Sequence, residues 1–227
     1  MQKMILRITM ILLIALSCSD NTEIEPSNFD YLFEETKFVV GGNEYRAVPN
    51  KSRAFIVYNQ SMANKVMKVI ETNNLSFMQV IDECESIYEL YGLVTPKELQ
   101  NAIYATVWGV DLSPIFEMSN DFVYCSPAYY HYGFLLGGSK PCVEESTNFI
   151  FFTVPNKYSS ELDSIKSFCK THNAIFVDKI ENIVSESGVI ACTNKTKMTA
   201  VQFAYLLYKS GYVTSSKPLP LSSEEPA

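Results

Sequence analysis

The sequence predicts an α+β protein made of two tandem βαββαβ units, each an antiparallel sheet with its helices on one face, the first unit degenerate. Three observations carry this expectation. The second half alternates apolar, β-rich runs with helical periodicity in the order strand, helix, strand, strand, helix, strand. One of its helix starts carries a complete capping signature. The first half repeats the same order in blurred form.

In the second half, FIFFTV (149–154) is rich in aromatic and β-branched residues and reads as a buried strand. Ser159 and Ser160 are suited to start a helix, and Leu162, Ile165, Phe168 and Cys169 line one face of it. AIFVDKI (174–180) and GVIACT (188–193) read as two strands. TAVQ (199–202) fits a capping box, in which the Thr and Gln side chains satisfy free backbone donors. The helix it starts runs through Tyr205 and Tyr208 and stops at Gly211, a residue suited to a helix C-terminus. YVTSS (212–216) closes the unit as a last strand. Right-handed crossovers on this order give a four-stranded antiparallel sheet with two helices on one face.

The first half is harder to read. RAFIVY (53–58) is a strand and Ser61 to Thr72 a helix. Residues 75–91 fit two assignments. Phe77, Val80, Ile81, Cys84, Ile87 and Tyr91 recur at helical spacing, yet LSFMQVI pairs equally well in a sheet. Thr95, Pro96 and Glu98 mark a helix start. IYATVWGV (103–110) and FVYCSPAYY (122–130) read as strands. The boundaries that follow are a leader at 1–18, a polar tether at 19–44, units at 45–132 and 133–216, and a free tail at 217–227.

Composition narrows the function. The chain has 227 residues, 18 Lys+Arg and 25 Asp+Glu, for a net charge of −7. The leader holds Lys3 and Arg7 and no acidic residue, so the remainder carries −9. Such a chain does not suit nucleic acid, whose phosphates need a basic surface, nor electrostatic docking on anionic lipid. Roughly 170 to 190 residues are left for folding, enough for one large or two small cores. The six cysteines are Cys18, Cys84, Cys125, Cys142, Cys169 and Cys192, with no CxxC pair among them. One disulfide suits an oxidising compartment, but the spacing does not choose its members.

The leader MQKMILRITMILLIALSC combines a short basic start, an apolar run from Ile8 to Leu16 and small residues before Cys18. It resembles a bacterial lipoprotein signal. The resemblance implies cleavage before Cys18, lipid on that cysteine, and residence in the cell envelope, at the outer membrane. Anchoring is then through acyl chains rather than a spanning helix. SDNTEIEPSN follows, too polar to bury a core, and its length holds the folded part off the membrane. Asp20, Glu23 and Glu25 resemble the export signals of surface lipoproteins in some Gram-negative bacteria.

The strand NFIFFTV, the helix and strand pair after it, and the closing MTAVQFAYLLYKSGYVTSSKP carry a second resemblance. They are similar to the ferredoxin-like propeptides of subtilisin-like proteases, the fervidolysin prodomain among them, over roughly 123–220 and more weakly over 45–122. In that family the open sheet face packs on the protease and the segment after the last strand lies in its cleft. The resemblance implies a non-catalytic protein-binding module, a stand-alone propeptide-like inhibitor or chaperone whose partner is a protease. Lys217, Pro218 and Leu219 in KPLPL are the candidate contact residues, extended because the prolines fix φ and remove donors.

The remaining constellations are sparse. Tyr129, Tyr130 and Tyr132 flank His131, and stacked tyrosines bind glycans or proteins. This makes a glycan- or ligand-binding surface protein the alternative function. The plainer reading puts one face of this strand in the core and the other at the junction of the units. His172 stands three residues after Cys169, but two groups make no zinc site, so no metal or cofactor is expected. GFLLGGSK (133–140) lacks phosphate-loop spacing and reads as a turn. With no GxSxG or HExxH run, nothing marks an enzyme.

Overall fold

A computed structural model describes residues 29–40, 42–80, 95–131, 142–144, 146–154, 159–181 and 186–220. It is a mixed α+β structure with two antiparallel sheets. The chain enters through a 3₁₀ turn at Asp30–Phe33 and a strand β1 (Thr36–Val40), which turns at Gly42 (φ 80°) into the long β2 (Asn43–Asn59). Helix α1 (Ala63–Thr72), β3 (Ser76–Gln79), β4 (Ala102–Trp108), the single-turn α2 (Ser113–Phe116), β5 (Tyr124–His131) and β6 (Cys142–Glu144) complete the first sheet region. The second consists of β7 (Ser146–Thr153), α3 (Ser159–Thr171), β8 (Ile175–Glu181), β9 (Glu186–Ala191), α4 (Ala200–Lys209) and β10 (Ser215–Pro220).

Strand order ties the halves together. The second sheet runs β10-β7-β9-β8. The first contains β5-β2-β4-β3, with β6 added outside β5 and β1 paired to β2. In order of appearance within each half, both read fourth, first, third, second. The helix exits also match. Asn74 and Asn173 both take left-handed φ, 51° and 54°. Leu75 N donates to Ile70 O and Ala174 N to Cys169 O, each at 2.9 Å, the six-to-one bond that closes a helix C-terminus.

The apolar pattern explains the layers. Along β2, Ala54, Ile56 and Tyr58 alternate with Phe55 and Val57, and all five are buried. The first set packs with Ala105 and Val107 of β4, Val66 and Ile70 of α1, and Ile115 and Phe116 of α2. The second joins Tyr104 and Tyr124 in one cluster with Phe149, Ile150 and Phe152 of β7, Ile165 of α3 and Phe203 of α4. This second cluster therefore crosses from one sheet to the other. Gly188 of β9 sits where a Cβ would come 2.5 Å from Phe152 Cζ and 2.8 Å from the Asp178 carbonyl oxygen, so only glycine lets the Phe152 ring lie over the strand.

Several expectations change. The tether does not reach residue 44, because Leu32 is fully buried and β1 is in register with β2, Thr36 opposite Ala47. The helix expected at Thr95–Glu98 is one 3₁₀ turn, Lys97–Leu99. It stops because Gln100 is extended and Asn101 turns left-handed (φ 58°) while Leu99 drops into the core. Within 75–91, residues 76–79 form strand β3, and 81–91 lie outside the described residues. The first sheet continues past residue 132, since β6 pairs with β5.

The last strand is displaced from 212–216 to Ser215–Pro220, so Lys217, Pro218 and Leu219 belong to the sheet and not to a free tail. Gly211 (φ 78°) ends α4, and three residues are needed to reach the sheet, where Thr214 N meets Thr153 O at 2.8 Å. β10 lies at the edge of its sheet, where a proline's missing donor costs no ladder bond. Cys18, Tyr132, residues 133–140 and 221–227 lie outside the described residues.

Candidate functional site

The tyrosine run on β5 leads to the N-terminus of α4. Tyr129 is fully buried, with its ring edge-on to Phe38 (centroids 6.2 Å apart) and packed with Ala47 and Val201. Its hydroxyl lies 2.7 Å from Thr199 Oγ1. Five residues earlier, the Tyr124 hydroxyl accepts the Ala200 backbone N–H at 2.7 Å. Burial pushes both phenols well above their ordinary range, so they serve as neutral hydrogen-bonding groups.

Thr199 is the N-cap of α4. Its hydroxyl accepts Gln202 N (3.3 Å), and its own N–H donates to Gln202 Oε1 (2.7 Å). Gln202 Nε2 then donates to Tyr31 O (2.7 Å) and Glu34 O (3.3 Å). At this helix start the Ala200 N–H is thus taken by Tyr124 of β5 and the Gln202 N–H by the Thr199 cap, while the entering chain holds the Gln202 side chain. Tyr129 is a structural fastener between the halves, not part of a binding platform. Tyr130 beside it is half-buried.

Lys217 is exposed opposite Phe151, Pro218 is buried opposite Ile150, and Leu219 O accepts the Thr147 hydroxyl at 3.0 Å. These three residues are held as an edge strand. His172 packs against Phe168 (centroids 4.3 Å apart) with Nδ1 2.9 Å from Phe168 O. Among the described residues, no three His, Cys, Asp or Glu side chains converge as a metal set. Cys125, Cys169 and Cys192 are free thiols buried in the core. Burial raises all three, Cys169 to about 12, the opposite of an activated nucleophile.

The sequence reading missed a recess at the bend of β2. The β2–β5 register jumps between Asn50 and Ala54, opposite Ala128 and Pro127, leaving Lys51, Ser52 and Arg53 as extra residues against β5. Asn50 Oδ1 accepts from Ser52 N (2.9 Å) and Ser52 Oγ (2.7 Å), and Gly109 N donates to Ser52 O (3.0 Å). Arg53 stands opposite Trp108 on β4, its Cζ 5.8 Å from the indole centroid. With Gly109 and the fully exposed Val110, these residues line a recess of about 680 Å³. The available signal was the chain's single tryptophan at a strand end, with a basic KSR segment elsewhere in the sequence.

No helix among the described residues is long and apolar enough to cross a membrane. Compared with protein-family models and with curated proteins, the chain matches none.

Proposed function

We propose that this chain is a non-catalytic, lipid-anchored cell-envelope protein that works as a protein-binding module of tandem ferredoxin-like units, related in design to the propeptides of subtilisin-like proteases. The observation that carries the reading is the shared strand order, β5-β2-β4-β3 and β10-β7-β9-β8, with matching helix exits at Asn74 and Asn173. A βαββαβ unit in this order is the ferredoxin-like arrangement. Fold alone does not give function, so the leader ending at Cys18 supports the envelope location and the β10 edge supports the docking mode. Because Lys217–Leu219 are built into β10, the segment that enters a protease cleft begins at Leu221. The glycan alternative on Tyr129, Tyr130 and Tyr132 loses its first member to the junction with Thr199.

The test mixes the chain from Ser19 onward with purified subtilisin and follows hydrolysis of a chromogenic peptide. Tight inhibition is expected, weakened at least about tenfold when 221–227 are deleted, the loss of one well-placed contact segment. An unchanged protease rate, or steady digestion of the chain as a substrate, overturns the propeptide-like role. For the anchor, fatty-acid labelling in a bacterial host should mark the natural chain and not Cys18→Ser. Label on both would sink that assignment.

A further inference from the structure

We infer that the outer edge of β3 is a contact surface for a second copy of this chain, the two β3 strands pairing antiparallel about a two-fold axis at Met78. This is independent of the anchor and of any protease partner. An edge strand leaves a row of backbone donors and acceptors unpaired, and folded proteins guard such edges with charge, proline or a bulge. The other edges among the described strands are guarded. β8 carries a register shift between Phe176 and Asp178, and the Asp178 carboxylate accepts the Lys179 N–H at 2.7 Å. β10 has Pro218 and Pro220 with a shift between them, and β1 lies against it. β1 carries Lys37 and also packs on α4, and β6 is short and carries Glu144. β3 (SFMQ) has no charge, no proline and an unbroken register with β4. Among the described residues no strand pairs with its outer side. Met78 is 52 % exposed, and of the exposed large apolar side chains described it alone lies in a strand.

The ladder chooses the partner. Val80 N donates to Tyr104 O at 2.8 Å, and the β3–β4 register places these two residues opposite each other. Hydrogen-bonded and non-hydrogen-bonded pairs alternate along an antiparallel ladder. Ser76 and Met78 therefore exchange their bonds with β4, while Phe77 and Gln79 turn both N–H and C=O outward. A second β3 meets all of these outward groups in one register, with Phe77 opposite the second copy's Gln79 and Gln79 opposite its Phe77. Met78 then faces Met78 on the axis. That is a non-hydrogen-bonded position, where opposed Cα atoms come to about 4.5 Å and side chains are closest. The two exposed thioether chains cover each other, and this self-complementarity favours a second copy over an unrelated strand. So short a contact lies below the roughly 1,200 Å² of a standard interface, so the dimer is weak and concentration-dependent.

The chain from Ser19 onward is followed by sedimentation velocity at rising concentration and low salt. A shift from monomer to dimer is expected. Met78→Lys and Met78→Glu each set like charges opposite one another on the axis, and each should weaken self-association at least about tenfold. An equimolar mixture of the two variants should regain it, because Lys then meets Glu. Met78 is exposed, so both variants should keep the far-UV spectrum of the natural chain. If either does not fold, hydrogen exchange on the natural chain decides. The Phe77 and Gln79 amides should gain protection with concentration, and the Met78 amide, already bonded to β4, should not change. A chain that stays monomeric up to about 1 mM overturns the proposal and leaves the edge to an extended segment of another protein. A dimer that both variants leave intact also overturns it, as does a mixture no stronger than either variant alone.

Discussion

The two halves share a strand order but differ at the second crossover, and the difference shows how the half with the shorter helix is completed. In the second half this crossover is α4, ten residues with a full capping box. In the first it is the four-residue α2, continued by short turns through Asp121. The apolar surface that a longer helix would cover is taken by residues of the entering chain, ahead of β2. Leu32 is fully buried there with Met118 and Phe122, and Phe33 sits edge-on to Phe116 at 4.8 Å. The same entering chain also accepts hydrogen bonds from Gln202 of α4. The weaker half is therefore finished by a segment that grips the stronger one.

The halves should unfold together. The largest effect is expected from Phe149→Ala. Phe149 is fully buried and stacks on Tyr104 of the other sheet, with centroids 6.5 Å apart. Truncation should cost about 3–5 kcal/mol. Urea unfolding followed by Trp108 emission and by far-UV circular dichroism should still give one midpoint, shifted down. Two separated midpoints would break the picture of a common core.

Gly188→Ala probes the second half alone. The added methyl meets the Asp178 carbonyl and the Phe152 ring, so a loss of about 1–3 kcal/mol is expected in the same assay. No change would mean that β8 and β9 part easily.

The junction comes next. Thr199→Ala removes the cap of α4 and the partner of Tyr129, and should cost about 1–2 kcal/mol. Tyr129→Phe leaves the cap in place and should cost less, about 0.5–1.5 kcal/mol. The reverse ranking would show that the phenol, and not the capping box, holds the helix.

Acid should have the smallest effect and should act first on the strand that only the first half has. Hydrogen bonds from Arg46 to Glu35 and from Lys37 to Glu44 hold both carboxyls below the ordinary glutamate value of 4.5. A lowered folded value means their contribution is present above pH 4.5 and is lost as pH falls through that lowered value. Both pairs are exposed, so the change in melting temperature should be below any of the above, and high salt should reduce it. Hydrogen exchange in β1 should rise before exchange in β7. Simultaneous loss would tie β1 to the core more tightly than its surface pairs suggest.

The second half was largely legible in the sequence because its signals are local. The Thr199–Gln202 box, the Leu162–Ile165–Cys169 face and the FIFFTV run each act within a few residues, and each element formed where expected. The first half depends on long-range pairing. The local pattern shows a strand only over 53–58, yet pairing with β1, β5 and β4 carries β2 from Asn43 to Asn59. TPKE has the chemistry of a helix start, but the core claims Leu99 within one turn. Strand alternation puts one face of the Tyr129–Tyr132 run in the core without choosing its contacts. The burial of Tyr129 is set by Phe38 and Thr199, both far away in sequence. The Trp108 recess was hidden for the same reason, since Arg53 and Trp108 meet only through strand register.

The early docking of the entering chain has a mechanical consequence. On a chain anchored at Cys18, a leash running to residue 44 would allow a reach of roughly 90 Å at about 3.5 Å per extended residue. Because Phe29 already packs against the core, residues 19–28 can place such an anchor at most about 35 Å from the body. That is less than the width of the body itself, roughly 40 Å for a chain of this size. With the proposed anchor in place, a partner as bulky as the body itself would have no room to pass beneath it.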